Sequence, residues 1–549
     1  MISSQDNKYR ELFLWALVFF ILLTLPVKLI FFQKNDFILG KEFSEKASSR
    51  KSILNSKRGS IFDRNNLFLA EDIPSYEIGL TINNFSFDPK HIALLSENLG
   101  LNIERLKKRL SNKKAKYIVL SQNVSKDKKE NLKKLSIPGL EISTRKFKRY
   151  YPQGEIFSQV IGLTNYKNEG INGMEFALEE TLSATNGYQK KQLSRKSGII
   201  QSEIIKEPID GSNIRLTIDS KVQFVLFDSL KSAVGFHAAE SASGIIIELN
   251  SNEILAMTNY PSFDPNDRRQ LNNMELLNNN SAIDLFEPGS LIKPLTVAGA
   301  ITNNIITKES LINTNPGFIT ISGFKKTEAG GKNFGIISPK QIISKSSQIG
   351  IAKIAIAMHQ DKIIENLYNF GIGEDLDINW LGFISGNLLN KDKLFDIDKA
   401  SIGYGYLMHT NLLQIARAYS VFANNGFRVE PKIIYGSETV LKKVISADVA
   451  NYVLESLRET ITDGTALNLK DSPIEIAGKT GTTEKYIVGE GYVSGKYISS
   501  FASIFPYDDP KFIVIVSIDE PDPDNYFAGS VAEPFVKNIS NQIISFGRE

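Results

Sequence analysis

From Leu12 to Val27 the chain carries no charged side chain, and Leu29 to Phe32 continue the run beyond Lys28. The 21 residues of Leu12–Phe32 match the roughly 20 residues that a helix needs to cross a bilayer. Lys28 lies close enough to the end of the run to reach the interface with its long stem. A cleaved leader is the alternative reading, but Leu29-Ile30-Phe31-Phe32 stand where a small-residue cleavage site would be, which favours an uncleaved anchor. Orientation stays open at this point. Lys8 and Arg10 precede the span, Lys28, Lys34, Lys41 and Lys46 follow it, and long domains translocate largely regardless of such a count.

The rest of the 549 residues, 42% apolar and 23% charged overall, has the composition of folded domains rather than of a disordered or collagenous chain. A net charge of +3 gives no argument for a nucleic-acid partner. With no cysteine in the chain, disulfides and thiolate chemistry are excluded. His91, His237, His359 and His409 are scattered and form no helical zinc motif. The expected division is a tail at 1–11, the anchor at 12–32, a mixed domain at 33–208 and a larger domain at 209–549.

In the mixed domain, the basic tract Lys107–Lys134 has Leu106, Leu110, Tyr117, Ile118 and Leu120 set among its charges. It reads as the solvated face of a small α/β domain, with a patch for anionic lipid or polymer as the alternative. The larger domain is expected to begin near Asp210-Gly211. Asn213–Ile218 alternates as a strand, Asp219 stands as a helix N-cap, and Val222, Leu226 and Leu230 follow at helical spacing. Gly244–Leu249 and Glu253–Thr258 read as a hairpin around Asn250-Ser251-Asn252. Ile474–Ile476, Tyr497–Phe505 and Phe512–Ile518 read as strands, and a last helix is expected from Ala532 to Ile544. Strands at both ends of a helical middle imply one antiparallel sheet packed on helices, an α+β architecture.

Ser290-Leu291-Ile292-Lys293 is one of several S-x-x-K matches; those at Ser48, Ser111, Ser125 and Ser143 are among the others. Context separates Ser290 from them. It follows the turn Glu287-Pro288-Gly289 and opens an apolar helical run, and Pro294 is tolerable only near a helix start. A serine there meets the free N–H groups and positive dipole end of a helix. Lys293, three residues on, shares its face and can take the hydroxyl proton if burial or another cation depresses its pKa. Ser346-Ser347-Gln348 opens another helical stretch, where a serine also serves as an ordinary cap. Lys479-Thr480-Gly481 follows Ile474–Ala477. It is either a plain turn after a strand or, on an edge strand, the lining of a cleft.

An S-x-x-K, a serine-centred triplet and a K-T-G in this order are the set shared by penicillin-recognising enzymes. Here Ser346 follows Ser290 by 56 residues and Lys479 follows Ser346 by 133. The likeness extends outward. Arg58-Gly59-Ser60-Ile61-Phe62-Asp63-Arg64, Arg149-Tyr150-Tyr151-Pro152 and Val160–Asn165 resemble the pedestal motifs of class B penicillin-binding proteins. Glu253–Met257 and Tyr260–Asn266 are similar to the strand before the catalytic helix. Ser401–Met408 resembles the division-specific branch.

That resemblance implies an uncleaved transmembrane helix, a dimerisation-like α/β pedestal, and a penicillin-binding transpeptidase domain with a five-stranded antiparallel sheet. It implies a serine peptidoglycan D,D-transpeptidase of the division septum, needing no cofactor or metal and held in the bacterial inner membrane with its body periplasmic. Its partners would be stem peptides, the lipid-linked precursor, β-lactams, a septal glycan polymerase and other division proteins, and no nucleic acid. The implied catalytic set is Ser290, Lys293, Ser346 and Lys479. Gln348, Thr480, Gly481 and Thr482 would bind substrate, and the N–H groups of Ser290 and Thr482 would form the oxyanion hole.

Two positions depart from the family pattern. Gln348 stands where asparagine is usual, and its amide is one methylene farther out. Asn65 replaces a usual glycine, a change that a left-handed turn would tolerate. An elongation-type transpeptidase, a carboxypeptidase, and a catalytically weak scaffold of the division machinery are the alternative readings.

Overall fold

In the computed structural model, residues 4–111, 116–194, 198–269, 273–375, 383–389, 391, 393–487 and 489–547 are described. Residues 1–3 of the expected tail and 112–115 of the basic tract lie outside them. The chain divides into two units, Met1–Lys57 with Ala184–Asp210, and Arg58–Ser183 with Gly211–Glu549.

Among its described residues the first unit has the helix Ser4–Ser48, in which Lys8–Lys34 is long and apolar enough to cross a membrane. Strand Ser49–Leu54 pairs antiparallel with Gly187–Ser194, which pairs antiparallel with Gly198–Lys206. The backbone N–H of Lys57 donates to Asp210 Oδ1 at 2.7 Å.

Two layers of the second unit matter for function. In the pedestal, the long strand Phe68–Thr81 pairs antiparallel with Tyr117–Val124 and with Leu140–Tyr150. Helices Pro89–Leu99, Ile103–Leu110 and Lys126–Lys134 cover it. Leu106, Leu110, Ile118, Leu120 and Leu132 are buried in one core with Ile78 and Leu95. Leu106, Leu110, Ile118 and Leu120 of the basic tract therefore face inward, whereas Tyr117 is exposed.

The larger layer starts at helix α1 (Ser220–His237), whose N-cap Asp219 accepts from the N–H groups of Lys221 and Val222. Strands β1 (Ser241–Glu248) and β2 (Glu253–Tyr260) form the expected hairpin. Helices α2 (Lys293–Thr302) and α3 (Gln348–Ala357) belong to the helical middle. Strands β3 (Ala477–Ile487), β4 (Gly491–Phe505) and β5 (Phe512–Asp519) complete the sheet, and helix α4 (Glu533–Phe546) closes the chain. The order is β2-β1-β5-β4-β3, antiparallel throughout. Successive residues of a strand face opposite sides, so unbroken apolar runs mark a sheet buried on both faces. Ile246, Val514 and Val516 pack with Leu226, Leu230, Val536 and Ile539 of α1 and α4. Ile245, Ile247, Ile513 and Ile515 face the helical middle.

Three sequence expectations are corrected. Of Asn213–Ile218 only Ile214–Arg215 is strand, because its parallel partner Ile61–Phe62 is two residues long; Thr217 then donates to Ile433 O instead. Ile474–Ile476 lies outside the sheet. The first pair is Ala477 with Ile504, and the partner strand ends at Phe505, after which Pro506 has no N–H to offer. The Lys479-Thr480-Gly481 triplet therefore sits inside edge strand β3, as its edge-strand reading expects, and not in a turn after a strand. The left-handed residue in the first pedestal turn is Asn66, with φ of 64°, and not Asn65, whose amide donates to Asp219 Oδ2 at 3.0 Å.

Candidate active site

A 3-10 turn, Gly289–Ile292, leads into α2, and Pro294 falls in the first turn of that helix. Gly289 has φ of 53°, and a Cβ there would lie 2.4 Å from Thr483 Cγ2, so only glycine lets the turn approach β3 this closely. Leu291 and Ile292 are fully buried, and the Leu291 carbonyl accepts from Tyr419 Oη at 2.9 Å. Ser290, between these anchors, remains half-exposed.

Lys293 and Lys479 are both 0% exposed, an arrangement that is costly for ammonium groups. They converge on one residue. Lys293 Nζ donates to Ser346 O at 2.6 Å and to Ser346 Oγ at 3.1 Å. Lys479 Nζ lies 3.1 Å from the same Oγ and 3.1 Å from Thr480 O. The hydroxyl held against Lys293 in this state is that of Ser346, and no hydrogen bond to Ser290 Oγ occurs among the described residues. Burial pushes Lys293 down to about 7, opposed by the negative charge of Glu328. Lys479 is held well below its usual range by burial and by the Lys293 charge. A lysine that is partly neutral near pH 7 can accept a proton.

Ser346 owes its position to an unusual backbone. Its φ is 59°, in the bend between helix Pro339–Ser344 and α3. Ser347 is the cap, accepting from Gly350 N–H at 2.9 Å, which leaves Ser346 free to face the lysines. Both readings of this triplet therefore apply, to different residues. Gln348 begins α3, half-buried, with its N–H donating to Glu328 Oε2 at 2.6 Å.

Along β3, Thr480 Oγ1 lies 2.7 Å from Thr465 Oγ1, and Thr482 Oγ1 accepts from Ala528 N–H at 3.1 Å. A Cβ on Gly481 would stand 2.9 Å from Leu291 Cγ and 3.2 Å from Pro288 O. Gly481 thus packs behind the site, against the Ser290 turn. In front, a cleft of about 670 Å³ is lined by Ser290, Ser346, Gln348, Thr480 and Thr482. The structure brings every expected site residue either into this cleft or into contact beneath it.

Other cleft residues were given no site role by sequence, although Tyr406 lies in the Ser401–Met408 stretch read as branch-specific. Tyr497 and Tyr526 stack with centroids 3.7 Å apart, and Phe527 stacks on Tyr526. With Tyr406 they form an aromatic wall assembled from three distant segments, which no periodicity announces. Glu287, beside the turn, accepts from Leu407 N–H at 2.9 Å and Tyr492 Oη at 2.8 Å. Glu328, 2% exposed, follows a polar hairpin and carries no local signal.

Comparison with known proteins identifies the family. A profile for the penicillin binding protein transpeptidase domain matches residues 242–541, and one for the penicillin-binding protein dimerisation domain matches residues 53–216. The chain is 31% identical to the peptidoglycan D,D-transpeptidase FtsI of Buchnera aphidicola subsp. Schizaphis graminum, over 98% of this chain and 94% of that protein. It is 29% identical to the protein of the same name from Escherichia coli K12, over 90% and 85% respectively. In fold it is similar to penicillin binding protein 2X from Streptococcus thermophilus, with a TM-score of 0.73 at 22% identity, covering 90% of this chain and 80% of that one.

Proposed function

Because this chain belongs to the penicillin-binding protein transpeptidase family, we propose that it cross-links peptidoglycan stem peptides by serine acyl transfer, with Ser290 as nucleophile. It is a peptidoglycan D,D-transpeptidase, and the names of its relatives support a septal role. Membrane attachment is through the apolar helix.

The observation that carries the site assignment is the pair of buried lysines on one serine hydroxyl at the base of the cleft. Lys293, partly neutral, takes the proton of Ser290 Oγ as that oxygen attacks the penultimate D-Ala carbonyl carbon. The N–H groups of Ser290 and Thr482 receive the developing oxyanion, at about 3 kcal/mol per donor. Ser346, bonded to both lysines, passes a proton to the departing D-Ala amine as the C–N bond breaks. Lys479, Thr480 and Thr482 hold the leaving carboxylate, and Gln348 contacts the peptide backbone. The amine of a neighbouring stem then attacks the acyl-enzyme, forming the cross-link and restoring Ser290. A β-lactam acylates the same oxygen.

This substrate lies outside the inner membrane, so the body is assigned to the periplasm, with a glycan polymerase and other division proteins as partners. The segments 1–11, 12–32, 33–208 and 209–549 are assigned as tail, anchor, pedestal and catalytic domain.

The test is labelling of the full-length protein with a fluorescent penicillin. Wild type is expected to label and Ser290→Ala not to. Labelling that survives Ser290→Ala removes Ser290 as nucleophile, and folded wild type that never labels points to the scaffold reading.

A further inference from the structure

The strands Phe318–Ile321 and Phe324–Thr327 form a largely exposed hairpin, yet the next residue, Glu328, turns inward and is 2% exposed. Gly330 and Gly331, with φ of 68° and 67°, carry the chain back out. The Glu328 carboxylate sits across the N-terminus of α3. Oε1 accepts from Ser347 Oγ at 2.5 Å and Ile349 N–H at 3.4 Å, and Oε2 accepts from Gln348 N–H at 2.6 Å. Capping alone does not call for a buried charge, since Ser347 already caps this helix and neutral caps suffice.

The lysine pair supplies the further reason. Two amines lie 3.1 Å from one hydroxyl, and like charges this close suppress each other's protonation. Glu328 is the charged group that acts on Lys293, opposing the effect of burial, and the Lys293 charge in turn depresses Lys479 on β3. Other charged groups around the cleft are Lys345, paired with Asp463 at 3.5 Å, and Lys332 and Glu484 on its walls.

We propose that Glu328 is a positioning residue of the acyl-transfer site: its carboxylate fixes the start of the helix that follows Ser346 and is the counter-charge that opposes loss of the Lys293 proton. Without it the crowded, buried amine would give up that proton too readily, and Ser346 would be less well held against the lysines. This rests on the roles given above to Ser290 and Lys293.

The test is the rate of acylation by a fluorescent penicillin, measured against pH for wild type, Glu328→Gln and Glu328→Asp. Removing the anion lets Lys293 lose its proton at lower pH. Glu328→Gln is therefore expected to move the acidic limb down by about one pH unit and to lower the plateau, because Ser346 is less well held. Glu328→Asp, which keeps the charge but withdraws it by one methylene, is expected to move the limb the same way by less. A lower plateau with an unmoved limb would make Glu328 a structural cap only and overturn the proposal, as would an upward shift. If Glu328→Gln does not fold, the Glu328→Asp limb decides by the same criteria. Wild type that is not acylated removes the underlying site reading and this inference with it. Acylated wild type beside an unmoved limb overturns this inference alone.

Discussion

Two buried charge clusters lie in the second unit, and they are built on opposite rules. In the pedestal, Arg58 and Arg149 grip the two oxygens of Glu175, each at 2.6 Å. Arg58 also reaches Glu179 at 2.7 Å, Arg149 reaches Asp72 at 3.4 Å, and the Arg58 backbone N–H donates to Asp72 at 2.9 Å. Every cation there has carboxylate partners. Burial pulls the Arg58 pKa down, but Glu175 and Glu179 more than restore it, and the net shift is upward. In the cleft, two cations face each other, Glu328 is the carboxylate that acts on Lys293, and both lysines are shifted down. Matched charges lock a fold, whereas an excess of one sign leaves a group ready to give up its proton. The first cluster joins the segments around Arg58, Asp72, Arg149 and Glu175 into one body, and the second prepares a base.

The largest expected effect falls on the cleft. Lys293→Ala should reduce the rate of penicillin acylation by about 10³-fold, read from labelling time courses on protein whose melting curve is intact. Near-normal acylation would break the contrast at its centre. In the pedestal, Glu175→Gln leaves two buried guanidinium groups short of a partner and should cost about 3–5 kcal/mol of stability, measured by urea unfolding. The acylation rate per folded molecule should stay unchanged. Lys293→Met should have the opposite sign, gaining about 1–2 kcal/mol while abolishing acylation.

The sign of the pH dependence follows from the same burial. The Lys293 pKa in the folded state is about 7, against an ordinary 10.5. Between those values the unfolded chain binds the extra proton, so this group's contribution to stability rises with pH across that window and is flat outside it. Stability of the Lys293→Met variant, measured over the same window, should lack that component. The smallest effect concerns Gln348. Gln348→Asn shortens the amide by one methylene and should raise acylation a few-fold or leave it unchanged; a large fall would mean that the glutamine is matched to this cleft.

Much of the catalytic half was legible because its chemistry coincides with strong local signals. Pro288-Gly289 before Ser290 and Pro294 after Lys293 marked a helix start. The runs Gly244–Leu249 and Phe512–Ile518 marked strands of one antiparallel sheet packed on helices. The edge-strand reading of the K-T-G triplet holds, but the strand was expected to begin at Ile474, because β propensity in Ile474–Ile476 cannot reveal where the partner strand ends. Ser346 and Ser347 could not be told apart by residue type, since only the backbone turn at Ser346 assigns one to the lysines and the other to the cap. Glu328 was invisible. It follows Lys325, Lys326 and Thr327 in a polar segment, and its burial is decided by a tertiary approach to α3. The aromatic wall was missed for the same reason, as Tyr406, Tyr497 and Tyr526 come from separate segments.

The most direct test of the charge-excess account is the rate of acylation of wild-type protein by a fluorescent penicillin as a function of pH, with Ser290→Ala as the blank. The rate is predicted to rise through a single ionisation near pH 7, where Lys293 loses its proton, and to level off above it. A rate that is flat across neutrality, or that falls as pH rises through it, would contradict Lys293 as the base that activates Ser290.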